Sequence, residues 1–470
     1  MDRNGQNRAY LFSIVLIAII GGLLFGYDTA VISGAEQALD TFFRGASDFT
    51  YTKLLHGFTA SSALLGCIIG GAISGVLSAS LGRKRSLLIA GVLFFVSAVG
   101  SWCPESGLLP YGEPSLKLLV AFNIYRIIGG IGVGLASAIC PMYISEISPA
   151  NIRGTLVSCN QFAIIFGMLV VYFVNYLIRN NLADTQEGIQ AAMVEIGWRR
   201  MFLSEAFPAG AFFLLVFLVP ETPRYLVMKG KDTEALKILS RINGAEEGSR
   251  VLAEIKDNII EKKERLLAYG AGVIVIGALL SFFQQAIGIN VVLYYAPRIF
   301  ENLGASGDAS MMQTIVMGVV NIIFTLVAIF TVDKFGRKPL LIIGSAGMMI
   351  GMLALSVFSF CNLIGIGALV FIIIYTASFM MSWGPICWVL ISEIFPNTIR
   401  SQAVAIAVAV QWVANFLVSS TFPTLSAWSV GGTYMIYAVM SLLSAVFVWK
   451  FVPETKGKTL EDMSALWKRR

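Results

Sequence analysis

Long apolar runs dominate this chain and restrict what it can fold into. They are about 18 to 25 residues long, which as helices is the length that crosses the ~30 Å hydrocarbon layer of a membrane. Of 470 residues, 57% are hydrophobic and only 13% charged, whereas roughly a quarter of a soluble protein is charged. Unpaired backbone groups are too costly in lipid, so these runs are predicted to be helices. The pattern predicts an all-α membrane protein with twelve transmembrane helices, at about 10–36, 54–80, 86–103, 118–144, 155–179, 200–219, 268–297, 311–331, 339–360, 363–391, 401–423 and 432–453.

One long polar stretch, Glu221–Arg265, separates six predicted spans from six. Helical patterning at Thr233–Ile242 and Val251–Arg265 predicts short amphipathic helices on the membrane face. The expected domains are an N-terminal six-helix bundle at 1–219, a cytoplasmic linker at 220–266, a C-terminal six-helix bundle at 267–454 and a cytoplasmic tail at 455–470. Most of the 34 Lys and Arg lie in the termini and in loops on the side of the N-terminus, which predicts that both termini are cytoplasmic.

Three short motifs occur twice in the same order, once in each half. The pattern S-E-I-x-P-x-x-I-R occurs at 145–153 and 392–400, G-R-K at 82–84 and 336–338, and P-E-T at 220–222 and 453–455. Two six-helix halves in parallel repeat are a transporter arrangement, with the substrate site between them near the midplane. These loops predict an inner gate, in which Glu146 and Arg153, or Glu393 and Arg400, pair across the cytoplasmic face. The other gate residues expected from the repeats are Arg83, Glu221, Arg337 and Glu454.

Three ionisable side chains fall well inside the predicted spans. Arg126 and Glu205 lie ~10–12 Å inside the fourth and sixth helices, and Asp28 lies ~12 Å from the outer end of the first if that helix ends near Glu36. Charges at such depth are costly and usually functional, so the three are expected to face one cavity and to carry proton coupling. The alternative is a static ion pair that joins two helices. The single histidine, His56, is expected to be a wet interfacial residue.

Neutral polar residues cluster in the second half of the chain. The predicted seventh helix carries Gln284, Gln285, Asn290 and Tyr294, and one pocket can use Gln285 and Asn290 together only if the helix breaks, for which Gly288 is the expected place. Amides donate and accept, as sugar hydroxyls do, and tryptophan faces suit the C–H side of a sugar ring. The alternative reading is helix–helix hydrogen bonding. Further members of the set are Asn160, Gln161, Asn321, Trp388, Gln411, Trp412 and Asn415.

Other function classes have little support. The six cysteines have no metal-like spacing, and the glycine run at 129–134 lies mid-span with no preceding strand, unlike a nucleotide loop. No cofactor, no metal and no nucleic-acid partner are expected, and an enzyme is the least favoured class.

The motifs together resemble those of the sugar porters of the major facilitator superfamily, over essentially the whole chain. The marks are P-E-T-P-R at 220–224, P-E-T-K-G at 453–457, D-x-x-G-R-K at 333–338 and Q-Q-x-x-x-x-N-x-x-x-Y at 284–294. The stretches at 21–30 and 382–388 are similar to those of bacterial D-xylose–proton symporters. The resemblance implies sugar contacts by Gln161, Gln284, Gln285, Asn290, Asn321, Gly384, Trp388 and Gln411, enclosure by Phe25, Tyr294 and Trp412, coupling through Asp28 with Arg126 and Glu205 assisting, and a place for Asp333 in the inner gate.

Two positions depart from the family pattern. Ala79 and Ser80 stand where the family usually has an acidic or amide residue and a basic one, and Met168 stands where xylose symporters have a glutamine. Because Met168 is apolar, the sequence leaves open whether the substrate is a pentose or a hexose. The resemblance implies proton-coupled import of D-xylose or a closely related monosaccharide by alternating access, in a bacterial inner membrane, with sugar and protons as partners and a monomer as the working unit. The alternatives are an uncoupled facilitative sugar transporter and a non-transporting sugar sensor of the same fold.

Overall fold

The structure of the protein, a computed structural model, describes residues 7–149, 152–258, 266–302, 304–361, 363, 366–396, 399–456 and 467. In these residues every regular element is a helix. The N-terminal half contains α1 (Arg8–Arg44), α2 (Lys53–Leu81), α3 (Arg83–Trp102), α4 (Leu116–Ile147), α5 (Arg153–Asn180), α6 (Gln186–Ala192), a π-helical turn (Met193–Gly197), α7 (Trp198–Ser204) and α8 (Ala206–Val216). The connection contains α9 (Pro223–Met228), α10 (Asp232–Asn243) and α11 (Ala245–Asn258). The C-terminal half contains α12 (Ala271–Ala286), α13 (Ile289–Tyr294), α14 (Ala296–Asn302), α15 (Gly307–Phe335), α16 (Arg337–Phe360), α17 (Ile366–Met380), α18 (Trp383–Ile394), α19 (Arg400–Trp428) and α20 (Val430–Phe451).

Each predicted span except the sixth corresponds to a helical segment long and apolar enough to cross a membrane, although the tenth is divided between α17 and α18. Within the described ranges, 11 helices are long and apolar enough to cross a membrane. The predicted span at 200–219 is instead divided between α7 and α8, which meet at Glu205. Pro208 explains the break, because proline has no N–H for the carbonyl of Ser204 and its ring crowds that carbonyl. The break places an ionisable side chain where the backbone is irregular.

The first helix is longer than predicted. It continues past Glu36 to Arg44, so the expected end at position 36 is wrong. Glu36 and Asp40 therefore belong to the helix, and both are buried. Because 16 residues follow Asp28 in α1, that carboxylate lies ~24 Å from the helix end rather than ~12 Å.

The predicted break in the seventh helix is confirmed. Between α12 and α13, Gly288 has φ +89°, a left-handed backbone that residues with a β-carbon rarely adopt. The break brings Gln285 and Asn290 to the same side, where the Asn290 amide donates to Gln285 Oε1 at 2.5 Å. The expected amphipathic helices of the connection also form, as α10 and α11, although residues 259–265 lie outside the described part.

The two halves pack against each other through long helices. α2 packs on α19 and α5 packs on α15. At Gly57 the first of these contacts is backbone to backbone, since a β-carbon there would overlap the carbonyl of Ser420. Small residues allow such close approach, and between helices in lipid it is tight packing that gives attraction. A cavity is left between the halves beside these contacts.

Candidate functional site

A cavity of about 790 Å³ lies between the two halves. Its size falls within the ~300–1,000 Å³ that is usual for small-molecule sites. Met168 and Asn160 of α5 line one side, and residues of α12, α13, α18 and α19 line the other. Of the predicted substrate-binding residues, those that line the cavity are Phe25, Gln161, Gln284, Gln285, Asn290, Tyr294, Gly384, Trp388, Gln411 and Trp412.

Asn321 is the predicted substrate residue that the structure does not place in the cavity lining. It lies in α15 and is buried, and its Oδ1 has no hydrogen-bond partner in the described part of the chain. Asn160 and Asn415, which belong to the neutral polar set of the sequence analysis, also line the cavity. Thr29 lines it without having been predicted, and its place directly after Asp28 was the signal available.

The amides of the C-terminal half form one hydrogen-bonded network. Gln284 donates to the carbonyl of Trp383 at 2.9 Å and accepts from the Gln285 amide at 3.3 Å and from the Gln411 amide. Since the Asn290 amide donates to Gln285, four side chains hold one another in fixed orientations. A site whose polar groups are already oriented loses little entropy when a ligand binds.

Two atoms of this wall are buried without a partner. Gln411 Oε1 and the indole Nε1–H of Trp412 are inaccessible and have no hydrogen-bond partner among the described residues. A buried polar atom left unpaired costs free energy, and a ligand hydroxyl can pair with either atom, because a hydroxyl both donates and accepts. The ring centre of Phe25, from the opposite half, lies 5.8 Å from that of Trp412, so two aromatic residues that line the cavity are in contact across the halves.

A compact charge cluster lies next to the cavity. Arg126 Nη1 donates to Asp28 Oδ1 at 2.6 Å, and Nη2 donates to the Asp28 backbone carbonyl at 3.2 Å. The guanidinium carbon lies 5.0 Å from the Phe202 ring centre, and Glu205 interacts electrostatically with both Asp28 and Arg126. All three ionisable side chains are at most 2% exposed. The structure therefore brings together the residues that depth alone had suggested.

The cluster contains one positively charged guanidinium group and two carboxyl groups. Asp28 Oδ2 and both Glu205 oxygens have no partner with hydrogen-bond geometry in the described chain. If both acids were ionised, one negative charge would be buried uncompensated, which is strongly unfavourable. Neutrality of the cluster therefore requires one proton on its two carboxyl groups.

The gate end of the molecule carries the repeated loops, with Glu146 and Glu221 in one half and Glu393 and Glu454 in the other. Arg83 donates to Glu146 at 2.7 Å, and Arg337 donates to Glu393 at 2.9 Å. The hydrogen bonds around these two ion pairs are also the same in the two halves. Thr222 donates to Glu146 at 2.7 Å and Thr455 to Glu393 at 2.6 Å, while Glu221 accepts from the Arg83 amide and Glu454 from the Arg337 amide, both at 3.0 Å.

These pairs join residues of the same half. Pairing of Glu146 with Arg153 was expected, but the Arg153 side chain is exposed and donates to the Ser148 carbonyl at 3.4 Å. Arg400 is half-buried at the start of α19, and the side chain of Asp333 lies outside the described part. Arg337 and Thr155, close to the gate loops, also line the cavity, so the cavity extends toward this end. Pairs across the gate remain a prediction for another state.

Glu221 and Glu454 occupy equivalent loops, but their pKa values are shifted in opposite directions. Burial raises the pKa of Glu221, and hydrogen bonds from backbone amides do not fully offset it. At Glu454 burial also raises the pKa, but it is less complete, and backbone amides of Lys456, Arg337 and Lys338 together hold the pKa below its ordinary value. The repeated geometry therefore does not give equal electrostatics.

The opposite end, here the latch end, is closed by contacts between the halves. It carries Glu36 and Asp40 of α1 and Arg298 of α14. Arg298 Nε lies 3.1 Å from Glu36 Oε1, and its Nη2 donates to Asp40 Oδ2 at 3.0 Å. Arg179 of the N-terminal half also pairs with Asp308 of the C-terminal half. The structure is thus a state closed at the latch end, with its cavity directed toward the gate end.

His56 lies in the same region, and its expected wet position is wrong. The imidazole is 1% exposed, with Nε2 3.0 Å from Glu36 Oε2 and Nδ1 3.2 Å from the Tyr51 hydroxyl. The error followed from ending the first helix near Glu36, which left the histidine without a partner in the sequence-based picture. The pairing of a buried histidine with a buried carboxylate was missed.

Comparison with known proteins decides the family. The model of the family described as "Sugar (and other) transporter" matches residues 14–467. The chain belongs to the sugar transporter family. It is 53% identical to the D-xylose-proton symporter of Escherichia coli strain K12, over 98% of this chain and 96% of that protein. It is 38% identical to the glucose facilitated diffusion protein of Zymomonas mobilis, over 98% of each chain.

A solved structure of a sugar transporter matches the whole fold. The inward open conformation of the xylose transporter XylE from E. coli superposes with a TM-score of 0.87 at 51% identity, covering 97% of this chain and 100% of that one. The predicted family and the predicted all-helical major facilitator fold are confirmed. The domain boundaries at 219/220, 266/267 and 454/455, the orientation of the termini and the roles of the site residues remain predictions.

Proposed function

We propose that this sugar transporter is a proton-coupled symporter that imports D-xylose or a closely related monosaccharide across a bacterial inner membrane by alternating access. The observation that carries the proposal is the combination of a cavity walled by amides and indoles, with Arg337 at its gate end, and a buried cluster of two carboxyl groups and one guanidinium beside it. The 53% identical relative is a D-xylose-proton symporter, which supports both the sugar and the coupling ion.

The cavity wall supplies the sugar site. The oriented amides of Gln284, Gln285 and Asn290 offer donors and acceptors on one side, while Trp388 and Trp412 present apolar faces. The unpaired Gln411 Oε1 and Trp412 Nε1–H are the atoms with most to gain from a hydroxyl. Met168 lines the cavity on the N-terminal half, and its flexible apolar side chain accommodates different groups at that position.

The charge cluster supplies the proton site. With Asp28 ionised, Arg126 clamps both its carboxylate and its backbone carbonyl, which ties α4 to α1. In the neutral cluster Glu205 carries the proton while Asp28 is ionised. When Asp28 takes up a proton and Glu205 releases its own, the charge that holds Arg126 moves to Glu205 and the guanidinium turns toward it. α1 is released from α4 at this point without leaving a buried charge unpaired.

The two sites are connected through α1. Phe25 lies three residues before Asp28 and so on the same face of the helix, where it meets Trp412 of the other half. A shift of α1 that follows protonation of Asp28 therefore moves one aromatic wall of the sugar site. This gives the coupling a direct route, in which proton binding changes the shape of the cavity and sugar binding favours one position of Phe25.

The experiment is uptake of labelled D-xylose into liposomes that hold the purified protein, with and without an acid-outside gradient. D-glucose, L-arabinose and D-galactose serve as competitors. Accumulation above equilibrium only with the gradient is the expected result, and competition ranks the sugars. Asp28→Asn is expected to abolish accumulation while sugar exchange continues, and Asp184→Asn, at an exposed loop position, is the matched control.

A facilitator is the second candidate, because a 38% identical relative is a glucose facilitated diffusion protein and the Asp28–Arg126 pair would also serve as a fixed link between helices. It predicts equilibration with no response to the gradient and no difference between wild-type protein and Asp28→Asn. Uphill accumulation by Asp28→Asn would refute the assignment of the proton site. We also propose that both termini face the cytoplasm and that the monomer is the working unit.

A further inference from the structure

The latch end contains a titratable pair that the proposed transport cycle does not use. Glu36 is 0% exposed and His56 1% exposed, and their side chains lie 3.0 Å apart. His56 is the single histidine of the chain. Imidazole is the side chain whose charge ordinarily changes between pH 5 and 8, so its burial against a carboxylate at a moving interface has consequences for conformation.

The hydrogen bonds around His56 fit a neutral ring in the closed state. Tyr51 lies in the loop before α2, and burial raises the pKa of its hydroxyl, which therefore keeps its proton. With that hydroxyl donating to Nδ1 and the Nε2–H donating to Glu36, both ring nitrogens are satisfied by a neutral imidazole. The charge of Glu36 is balanced by Arg298, whose Nε lies 3.1 Å from Oε1.

The two acids of α1 at the latch end, Glu36 and Asp40, differ in the charged partners that each keeps when the halves separate. Asp40 keeps Lys53 at 2.9 Å and Arg44 at 2.8 Å, both from its own half. Glu36 has only Arg298 and His56 as charged or titratable partners within hydrogen-bond or ion-pair distance in the described chain. Glu36 Oε1 also lacks any partner with hydrogen-bond geometry, so its contact with Arg298 is an ion pair alone. Opening the latch end therefore removes Arg298, which among the described residues is the permanent cation in contact with Glu36.

The other groups around this pair do not replace that cation. From α1 the charged groups are Asp40 and Arg44, and from the start of α2 it is Lys53. From the C-terminal half the groups are Arg298 and Tyr295, and the Tyr295 hydroxyl donates to the Ser419 carbonyl at 3.3 Å. All three nearby cations, Arg44, Lys53 and Arg298, contact Asp40, and of these Arg298 alone contacts Glu36.

We propose that Glu36 and His56 form a second proton-binding site, which takes up a proton when the latch end opens and releases it when Arg298 returns. Opening leaves the Glu36 carboxylate without Arg298, and protonation of His56 supplies the missing positive charge. Because the open state binds one proton more than the closed state, acid favours opening. The inference rests on the alternating access of the proposed function. Under the proposed orientation the latch end faces the outside, so acid outside the cell raises the population of the outward-open state.

The test is hydrogen–deuterium exchange of the protein in lipid nanodiscs at several pH values, corrected for intrinsic exchange, and read at the ends of α1 and α14. Asp28→Asn is the background, because it removes titration of the first proton site. In that background we expect opening at the latch end to rise several-fold from pH 7.5 to 5.5, within the limit of tenfold per pH unit for one proton. His56→Gln keeps a neutral donor and acceptor and is expected to abolish the rise.

Two further variants separate this mechanism from a merely weakened interface. Arg298→Gln leaves Glu36 with the same partner in both states, so exchange should be high and independent of pH. Arg179→Gln removes a different ion pair between the halves, the one with Asp308, and should raise exchange while the pH dependence persists. A pH response that survives His56→Gln, or one that Arg179→Gln also removes, would overturn the proposal. Exchange does not require transport, so failure of gradient-driven uptake would refute the proposed symport and leave this result interpretable.

Discussion

Glu105 and Arg199 form a buried ion pair that fixes the latch-end face of the N-terminal half, and removing its acid should destabilise the protein strongly. Arg199 donates to the two Glu105 oxygens at 2.9 and 2.5 Å and to the Trp102 carbonyl at 3.1 Å, and the side chains are 0% and 2% exposed. The guanidinium carbon also lies 4.4 Å from the ring centre of Trp198.

The magnitude follows from what Glu105→Gln leaves behind. The guanidinium would stay buried with a neutral partner, and breaking such a pair typically costs about 3–5 kcal/mol. Glutamine retains one acceptor, so we expect the lower part of that range, about 3 kcal/mol of unfolding free energy. The matched control is Glu234→Gln, since its pair with Lys231 is more than half exposed on both sides and is worth roughly 0–1 kcal/mol.

The assay is thermal unfolding of the purified variants in one detergent, followed by intrinsic fluorescence. Burial raises the pKa of Glu105, but hydrogen bonds from Arg199 outweigh it, so the pKa in the folded protein lies below the ordinary 4.5. The stabilisation that comes from a lowered pKa is fully present above pH 4.5 and is lost as the pH falls through the pKa of Glu105 in the folded protein. The difference in unfolding temperature between wild-type protein and Glu105→Gln should be constant from pH 8 to 5 and become smaller in stronger acid. Equal effects of Glu105→Gln and the control would refute the reasoning.

Three other predictions concern the cavity, the gate loops and the broken helix. Gln411→Ala removes a buried acceptor from the cavity wall, and sugar affinity by titration calorimetry should fall about tenfold or more, whereas an unchanged Kd would contradict its role. Glu454 has a lowered pKa and Glu221 a raised one. At pH 7.5 Glu454→Gln should therefore lower the unfolding temperature, and Glu221→Gln should leave it unchanged or raise it. Shifts of the unfolding temperature with the same sign in both variants would contradict the loop electrostatics. Gly288→Ala should cost about 1–3 kcal/mol from backbone strain and a ring contact at 2.8 Å, whereas Gly272→Ala, where nothing lies within 4 Å, should be neutral or stabilising.

Much of the fold was predictable because lipid imposes strict rules on sequence. Apolar run lengths predicted the spans, and the need for Gln285 and Asn290 to share a pocket predicted the break at Gly288. The break at Glu205 was equally available, since Pro208 was present in the sequence, but a continuous apolar run concealed it. Hydropathy reports burial in lipid and does not report backbone continuity.

The site was predictable in its residues more than in its contacts. The repeated motifs identified Glu146 and Glu393, yet their partners are Arg83 and Arg337 of the same half, a choice that depends on which conformation the protein adopts. Asn321 has the right chemistry for the cavity but lies elsewhere, because helix rotation decides which face a residue shows. The pairing of His56 with Glu36 joins two helices, and no local pattern predicts such a contact.

Because α1 is unusually long, a small rotation of this helix displaces its ends by several ångströms. Its 37 residues correspond to about 55 Å, which exceeds the ~40–45 Å of a whole bilayer. The midpoint is Gly26, where α1 presses directly on the backbone of Ile164 in α5, and Asp28 lies only about 3 Å from this pivot. Rotating α1 by 10° about the pivot moves its tip by about 5 Å, one helical turn, while Asp28 moves by less than about 1 Å. The proton site thus lies where the displacement is least, and the ion pairs of Glu36 and Asp40 lie farther along the helix, where the same rotation gives a larger displacement.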